Sequence, residues 1–522
     1  MSNFESRNPR PHSAQQRQPD EVIFGWSSRF VIWLIVAGFI LTGIGLMSVF
    51  GPTAWLLLIG VMAGCMLIGR PRILLWVYWG LAVIYPYLST VYGSVVLKWS
   101  DEMFAVAMLG VLAMHYIHDR SLFRKLRPFN RTLAALLVLT FVSGLANDVP
   151  KKLVLHFILQ YLRMFLLFYF AYVFVRDRDL RQVIWAIGLM VVLQFVMNFT
   201  WLAGINPLPH WMSGPDFCIG TGIGANVCAY YSIMLICILT AWMIISQRTA
   251  HRVWCLILIV ISLVHFFFTF TYHAYMALPV CLGLLLLVTR VQKTRLYIWG
   301  SVAVLLVSSI VLLLPADFRR GMHFEFDPAR LGDRLKSLRY GPKGQSYIQN
   351  VTVIPKALPY PIIGAGPGNA GSMVARINRR PLADQYFTWV DLSVESRSLS
   401  FGASIVGGPM TGIITLWSEL GPMGLILYWG LHVYAFFWVW TGLRRGLYTN
   451  RYKLILAQAF IPIMAFYIGL SLLADYSWVV YMNAIWIWAG CVWRRDVAPA
   501  AANVRQPMPL TEAHRRRIHA ST

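Results

Sequence analysis

The chain has 522 residues, of which 58% are hydrophobic and only 13% charged, and its formal net charge is +24. Soluble globular chains carry about 25% charged residues, so a water-soluble assembly of several domains is excluded. The basic balance does not point to nucleic acid. The cations sit in short breaks on alternate sides of apolar runs, which is the pattern that membrane orientation produces.

The first 25 residues are polar and contain Arg and Gln, so no secretory leader is expected and the first span stays as an anchor. Residues 1–29 read as a polar tail. Apolar runs near the length of about 20 residues that a hydrocarbon core demands then recur almost to the end. They predict spans near 30–50, 53–69, 73–93, 102–117, 132–147, 153–175, 182–203, 225–246, 253–271, 274–289, 296–314, 421–441, 454–472 and 475–493. The expected fold class is an all-α polytopic membrane protein with about fourteen transmembrane helices. Its parts are a bundle over 30–314, a large loop over 315–410, a second bundle segment over 411–493 and a basic tail over 494–522.

The charges orient this scheme. With the N-terminus inside, the six inner connections hold 19 Lys and Arg, whereas the short outer ones hold only Lys98, Lys151 and Lys152. The bias of Lys and Arg towards the cytoplasm places both tails inside and the 315–410 loop outside. The expected location is a bacterial inner membrane, with that loop periplasmic. Long outer segments are exempt from the rule, so the loop's 12 basic and 7 acidic residues do not conflict with it. An insertion of this size is uncommon unless functional. Its aromatic and branched residues, among them Phe324, Tyr340, Ile348 and Trp389, argue against a disordered tether.

Seven cysteines, at 65, 218, 228, 237, 255, 281 and 491, are scattered without C-x-x-C or metal-ligand spacing. They predict neither a disulfide framework nor a metal site, and no cofactor is expected. Four other features could carry chemistry. Gly364, Gly366 and Gly368 alternate in Pro361-Ile-Ile-Gly-Ala-Gly-Pro-Gly368. Such a stretch lets backbone approach a ligand or turns N–H groups towards an anion, although it can also be a plain turn. Glu419 stands in Trp417-Ser-Glu-Leu-Gly-Pro-Met-Gly424, at the expected outer mouth of a span. A carboxylate there is solvated and faces a site, or else it complements a helix start.

Arg163 lies midway along the sixth span, roughly 18 Å from Lys151 at 1.5 Å per residue. It must face the bundle interior, as a functional charge or as half of an internal ion pair. His273 follows Phe-Thr-Phe-Thr-Tyr at an outer junction, whereas His265 reads as a satisfied core histidine. The loop adds Arg319, Arg320 and Arg339 among other arginines, which form either a solvated basic face or bidentate phosphate contacts.

Taken in order, these elements resemble the O-antigen ligase and polymerase family of envelope glycan assembly. Gly220-Thr-Gly-Ile-Gly-Ala-Asn226 precedes a span, Pro361–Gly368 is similar to the family's loop motif, and Glu419-Leu-Gly-Pro-Met-Gly424 is similar to its Glu-x-Gly-x-x-Gly. The likeness covers 220–430 by motif. Two positions differ. Tyr272-His273-Ala274 stands where many members have Ser-Arg-Gly, and Ile405–Thr411 lacks a His-Asn pair that ligases carry.

The resemblance implies metal-independent transfer of a polyprenyl-pyrophosphate-linked saccharide to a sugar hydroxyl, in exopolysaccharide, capsule or O-antigen synthesis. It puts Arg163, Arg339, Arg319 and Arg320, with the three glycines, on the pyrophosphate or glycan, and Glu419 or His273 as the base. Membrane lipids and other polysaccharide export proteins are the partners it implies. A lipid-linked oligosaccharide flippase or a non-catalytic assembly protein is the alternative, although no internal repeat of the transporter kind is visible between the two halves.

Overall fold

The structure is a computed structural model that describes residues 70–92, 100–202, 220, 225–269, 271–289, 356, 358–372, 374–375, 378, 412–472 and 484–495. By its contacts, Pro71–Thr522 is one unit and Met1–Arg70 another. Among the described residues every regular element is helical. The order is α1 Pro71–Tyr92, α2 Ser100–His118, the short α3 Ser121–Arg124, α4 Arg127–Ala146, α5 Lys151–Phe157 and α6 Arg163–Phe174. There follow α7 Leu180–Leu202, α8 Ala225–Ile245, α9 Thr249–Phe268, α10 Tyr272–Thr289, α11 Gly412–Arg444, α12 Arg451–Leu470 and α13 Ala484–Trp493.

Seven helical stretches are long and apolar enough to cross a membrane, and four shorter apolar helices accompany them among the described residues. The chain is a membrane protein. Ten of the expected spans, from 73–93 to 454–472, fall on α1, α2, α4, the α5–α6 stretch and α7 to α12. The expected spans 30–50, 53–69 and 296–314 lie outside the described residues, as do the 1–29 tail, all but Arg494 and Arg495 of the 494–522 tail and most of the 315–410 loop; of the expected span 475–493 the described part is α13.

One boundary needs correcting. The span expected at 421–441 starts at Gly412 and runs to Arg444, broken at Gly421, where φ is 67° and ψ −177°. The cause is local. Pro422 has no N–H to offer, and the residue before a proline is pushed out of the helical region. The apolar run that begins at the break is therefore the second part of a helix that starts nine residues earlier.

The centre of the bundle is α13, all ten of whose residues are buried. It lies against α6 so closely that a Cβ on Gly490 would come within 2.5 Å of the Phe168 carbonyl oxygen and 2.9 Å of the Tyr172 nitrogen. Small residues let membrane helices approach to backbone contact, which is where packing attraction is greatest. Around this contact Phe129, Phe165, Phe168, Trp486 and Trp493 meet in tilted and edge-on pairs, the arrangement that aromatic quadrupoles favour. Trp488 finds its hydrogen bond at the Leu456 carbonyl, 3.0 Å away on α12. The α5–α6 stretch is not a plain helix. A π-turn over Ile158–Leu162 interrupts it just before Arg163, and such bulges often mark functional positions.

The helix ends sort by charge. Lys453, almost fully buried, pairs with Asp177 at 2.8 Å. Arg72 approaches Asp179 at 3.6 Å and donates to the Phe174 carbonyl at 3.2 Å. Arg494 donates to the Val173 carbonyl at 3.0 Å, and Arg495 to that of Trp438 at 2.7 Å. These contacts tie together the start of α1, the end of α6, the start of α12 and the end of α13. Tyr172, which donates to the Leu122 carbonyl, adds the Arg-rich connection between α2 and α4 to the same end. The opposite end is where α4 finishes, α5 begins and the first part of α11 lies, and it is built differently.

Candidate functional site

At that opposite end the glycine stretch and the glutamate element fold into one unit. The break at Gly421–Pro422 creates the acceptors. In an unbroken helix the Ser418 carbonyl would accept from residue 422, which is proline and has no N–H. Here the Ala365 N–H takes that carbonyl at 2.8 Å, and the Gly366 N–H takes the Glu419 carbonyl at 3.0 Å.

The Glu419 side chain then turns back into the loop and is fully buried. Its Oε2 accepts from the Gly368 N–H at 2.6 Å, and its Oε1 from the Ala370 N–H at 3.1 Å and the Ser372 N–H at 2.7 Å. Successive N–H groups turned inwards form an anion-binding concavity. In this chain the anion is the protein's own carboxylate.

The glycines make the close approach possible. Gly364, Gly366 and Gly368 have φ values of 76°, 95° and 72°. A Cβ on Gly364 would come within 2.5 Å of the Glu419 carbonyl carbon, and one on Gly421 would strike the Ile362 carbonyl. The two glycines face each other across the contact, so neither side tolerates a side chain.

α4 supplies the third wall. Ser143 donates to the Ile363 carbonyl at 2.6 Å and also approaches the Glu419 carbonyl at 3.3 Å. Asn147 donates to the Gly364 carbonyl at 3.0 Å and to its own helix at Ser143, 2.8 Å away. Asn369 closes the loop on the Ala365 carbonyl at 2.9 Å. Ser143 and Asn147 are one turn apart on α4, the spacing that puts both side chains on one face. Neither was singled out from the sequence, because a Ser and an Asn near a helix end look like ordinary capping residues.

The predicted site residues are distributed as follows. Glu419 and the three glycines come together. The expected solvated carboxylate at a helix mouth is corrected: Glu419 is enclosed, in the last turn before the helix break, and its oxygens are held by the loop. The three N–H groups named above are occupied by Glu419.

Arg163 is buried at 3% exposure, as a charge in mid-span must be, with Gln160 Oε1 3.3 Å from its Nη2. It lies away from the clasp that the glycine loop forms around Glu419. Leu153, whose carbonyl lies beside Gly368, is ten residues earlier, about 15 Å along the helical stretch. His273 is the second residue of α10, and its side chain lies outside the described residues, as do Arg319, Arg320 and Arg339.

His265 is a satisfied core residue, as expected. Its Nε2 is 3.0 Å from Asn198 Nδ2 and its Nδ1 2.8 Å from the Ser232 hydroxyl. Asn198 in turn accepts from the Gly220 N–H at 2.6 Å, so the first residue of the Gly220–Asn226 element is anchored to α7. A second buried histidine went unnoticed in the sequence. His432 Nδ1 faces the Tyr428 carbonyl at 2.9 Å, and the Trp486 N–H donates to its Nε2 at 3.3 Å. One turn upstream of it in α11 is Tyr428, and four aromatic rings besides line its surroundings; no periodicity distinguishes such a histidine from a helix-face one.

Among the described residues no group of three His, Cys, Asp or Glu side chains is placed to hold a metal ion, and the five described cysteines are free and buried. Compared with known proteins, the chain matches no family model and no characterised relative by sequence.

Proposed function

We propose that this chain is a membrane glycosyltransferase of the polymerase or ligase type. It transfers a polyprenyl-pyrophosphate-linked saccharide to a sugar hydroxyl on the outer face of a bacterial inner membrane. One observation carries the reading. The loop 361–368 and the element 419–424, the two segments on which the resemblance to the O-antigen ligase and polymerase family chiefly rests, interlock in space around Glu419. They do so at the end opposite the described arginine cluster, and with that cluster on the cytoplasmic side, as basic residues favour, the Glu419 end faces outwards in this reading.

In this reading the acceptor hydroxyl attacks the anomeric carbon, the bond from that carbon to the phosphate oxygen breaks, and the diphosphate leaves with its charge. Arg163, Arg319, Arg320 and Arg339 stabilise that charge, because guanidinium groups fit phosphate oxygens in pairs. A base must take the hydroxyl proton. Glu419 has its carboxylate committed to three N–H groups, so its role is to position the loop, and His273 is the first candidate for the base.

The test is the glycan itself. Removing the gene should leave lipid-linked glycan on the outer leaflet, as single repeats for a polymerase and as untransferred polymer for a ligase, and Arg163→Ala should reproduce that phenotype with normal amounts of protein in the membrane. Full-length polymer at normal levels, released from its lipid carrier, in the Arg163→Ala strain contradicts the assignment. Repeats trapped on the inner leaflet would show a flippase instead.

A further inference from the structure

We infer that the turn Tyr360-Pro361-Ile362-Ile363, at the tip of the glycine loop, is embedded in the bilayer and that its partner is lipid acyl chains. The inference rests on the membrane character of the helices and not on the transferase reading. The turn is closed by the Ile363 N–H donating to the Tyr360 carbonyl at 3.1 Å, with proline at the position where its fixed φ suits a turn. Its apolar side chains point outwards: Tyr360 is 50% exposed and Ile362 64%.

They do not stand alone. The backbone of Gly421 packs on the Ile362 carbonyl, and two residues further along α11 Met423 is exposed, followed by Ile426. Ser143 holds the Ile363 carbonyl, and on either side of Ser143 the residues Val142 and Leu145 of α4 are exposed. The tip therefore continues the apolar outer faces of two helices that are long and apolar enough to cross a membrane.

Two further observations favour lipid over water. No charged residue occurs between Lys356 and Arg376, although the surrounding insertion is rich in charge. Irregular backbone survives at membrane depth only where protein satisfies it, and much of this loop is satisfied from within. Its N–H groups at 365, 366, 368, 370 and 372 go to Ser418 and Glu419, and its carbonyls at 363 and 364 to Ser143 and Asn147. Tyrosine suits the boundary such a lip would occupy.

The test uses the full chain in liposomes, with Cys65 and Cys218 replaced by serine and one nitroxide label introduced at a time. Ile362→Cys is compared with Leu145→Cys as a lipid-facing reference and Lys152→Cys as an aqueous one. Collision with oxygen, which partitions into acyl chains, is set against collision with a water-soluble nickel chelate. The label at 362 should give an oxygen-to-nickel ratio matching that at 145 and several-fold above that at 152. Tyr360→Cys should fall between the two references. A ratio at 362 matching that at 152 places the tip in water and overturns the inference. Low collision with both reagents overturns it as well, because the tip is then covered by protein.

Discussion

The two ends of the described bundle are closed by opposite devices. At the Glu419 end one carboxylate gathers backbone N–H groups from a loop about fifty residues away in the chain. At the other end cationic side chains reach out to helix carbonyls and carboxylates, each making its own contact. The first device is a hub, so its failure is shared by every partner. The second is a set of separate contacts; those of Arg72 and Arg494 complement the negative end of α6, that of Lys453 a nearby acid, and that of Arg495 a carbonyl inside α11. Concentration of function in one residue makes the clasp sensitive to single substitutions, whereas the arginine end degrades piecemeal.

The largest effect should come from Glu419→Ala, which leaves three buried N–H groups without an acceptor. Each unpaired buried group costs about 1–3 kcal/mol, so the purified protein should melt well below the unmodified chain in the same detergent. A shift comparable to that of a surface substitution would mean that the clasp contributes little.

Next come the glycines, and here the two ends allow a matched pair. Gly421 and Gly446 both have positive φ, 67° and 66°, although Gly421, with ψ at −177°, sits in the extended positive-φ region that glycine almost alone adopts. Alanine at Gly446 meets nothing within 4 Å and should cost only the conformational term, roughly 1–2 kcal/mol. Alanine at Gly421 adds a collision with the Ile362 carbonyl, so its thermal shift should be clearly the greater of the two. Equal shifts would show that the loop is not packed against α11.

A smaller effect is expected from Asp177→Asn, which leaves the Lys453 ammonium buried without its carboxylate. Breaking a fully buried pair costs about 3–5 kcal/mol. Asp177 is itself 51% exposed, and partial solvation reduces the loss to about 2 kcal/mol. Arg495→Ala should be the mildest. Its guanidinium lies 3.7 Å from the centroid of the Trp438 ring, a contact worth about 0.5–1 kcal/mol at an accessible site, and its bond to the Trp438 carbonyl adds about 1 kcal/mol.

The same contrast explains what could be read in advance. Charges declare themselves in a sequence, and the arginine end was legible because Arg120, Arg124, Arg176, Arg178, Arg494 and their neighbours fall in the breaks between apolar runs. Helix existence was equally plain for ten spans, since a long apolar run in a chain of this composition has one stable form in lipid. The clasp was visible only as two unrelated motifs. Gly421–Pro422 is a strong break signal, yet hydropathy alone took it for a beginning, which put Glu419 at an open mouth instead of inside a fold.

That Glu419 would satisfy the glycine loop, with Ser143 and Asn147 behind it, depends on contacts across long stretches of chain. No local pattern encodes such contacts. The alternating glycines did announce inward-turned N–H groups, but the identity of the anion they meet is a tertiary fact. His432 shows the same limit from the other side, since its surroundings come from α6, α11, α12 and α13 together.

The claim that Glu419 holds the loop through its backbone can be measured at those amides. Hydrogen–deuterium exchange of peptides covering 364–375 should be slow in the unmodified protein, because the N–H groups of Gly368, Ala370 and Ser372 are buried and bonded to the carboxylate. In Glu419→Gln one oxygen becomes an amide nitrogen that cannot accept, so protection should fall within this stretch while peptides from α12 and α13 stay protected. Exchange at 364–375 as fast as in an unstructured peptide in the unmodified protein, or unchanged protection in Glu419→Gln, would contradict the account.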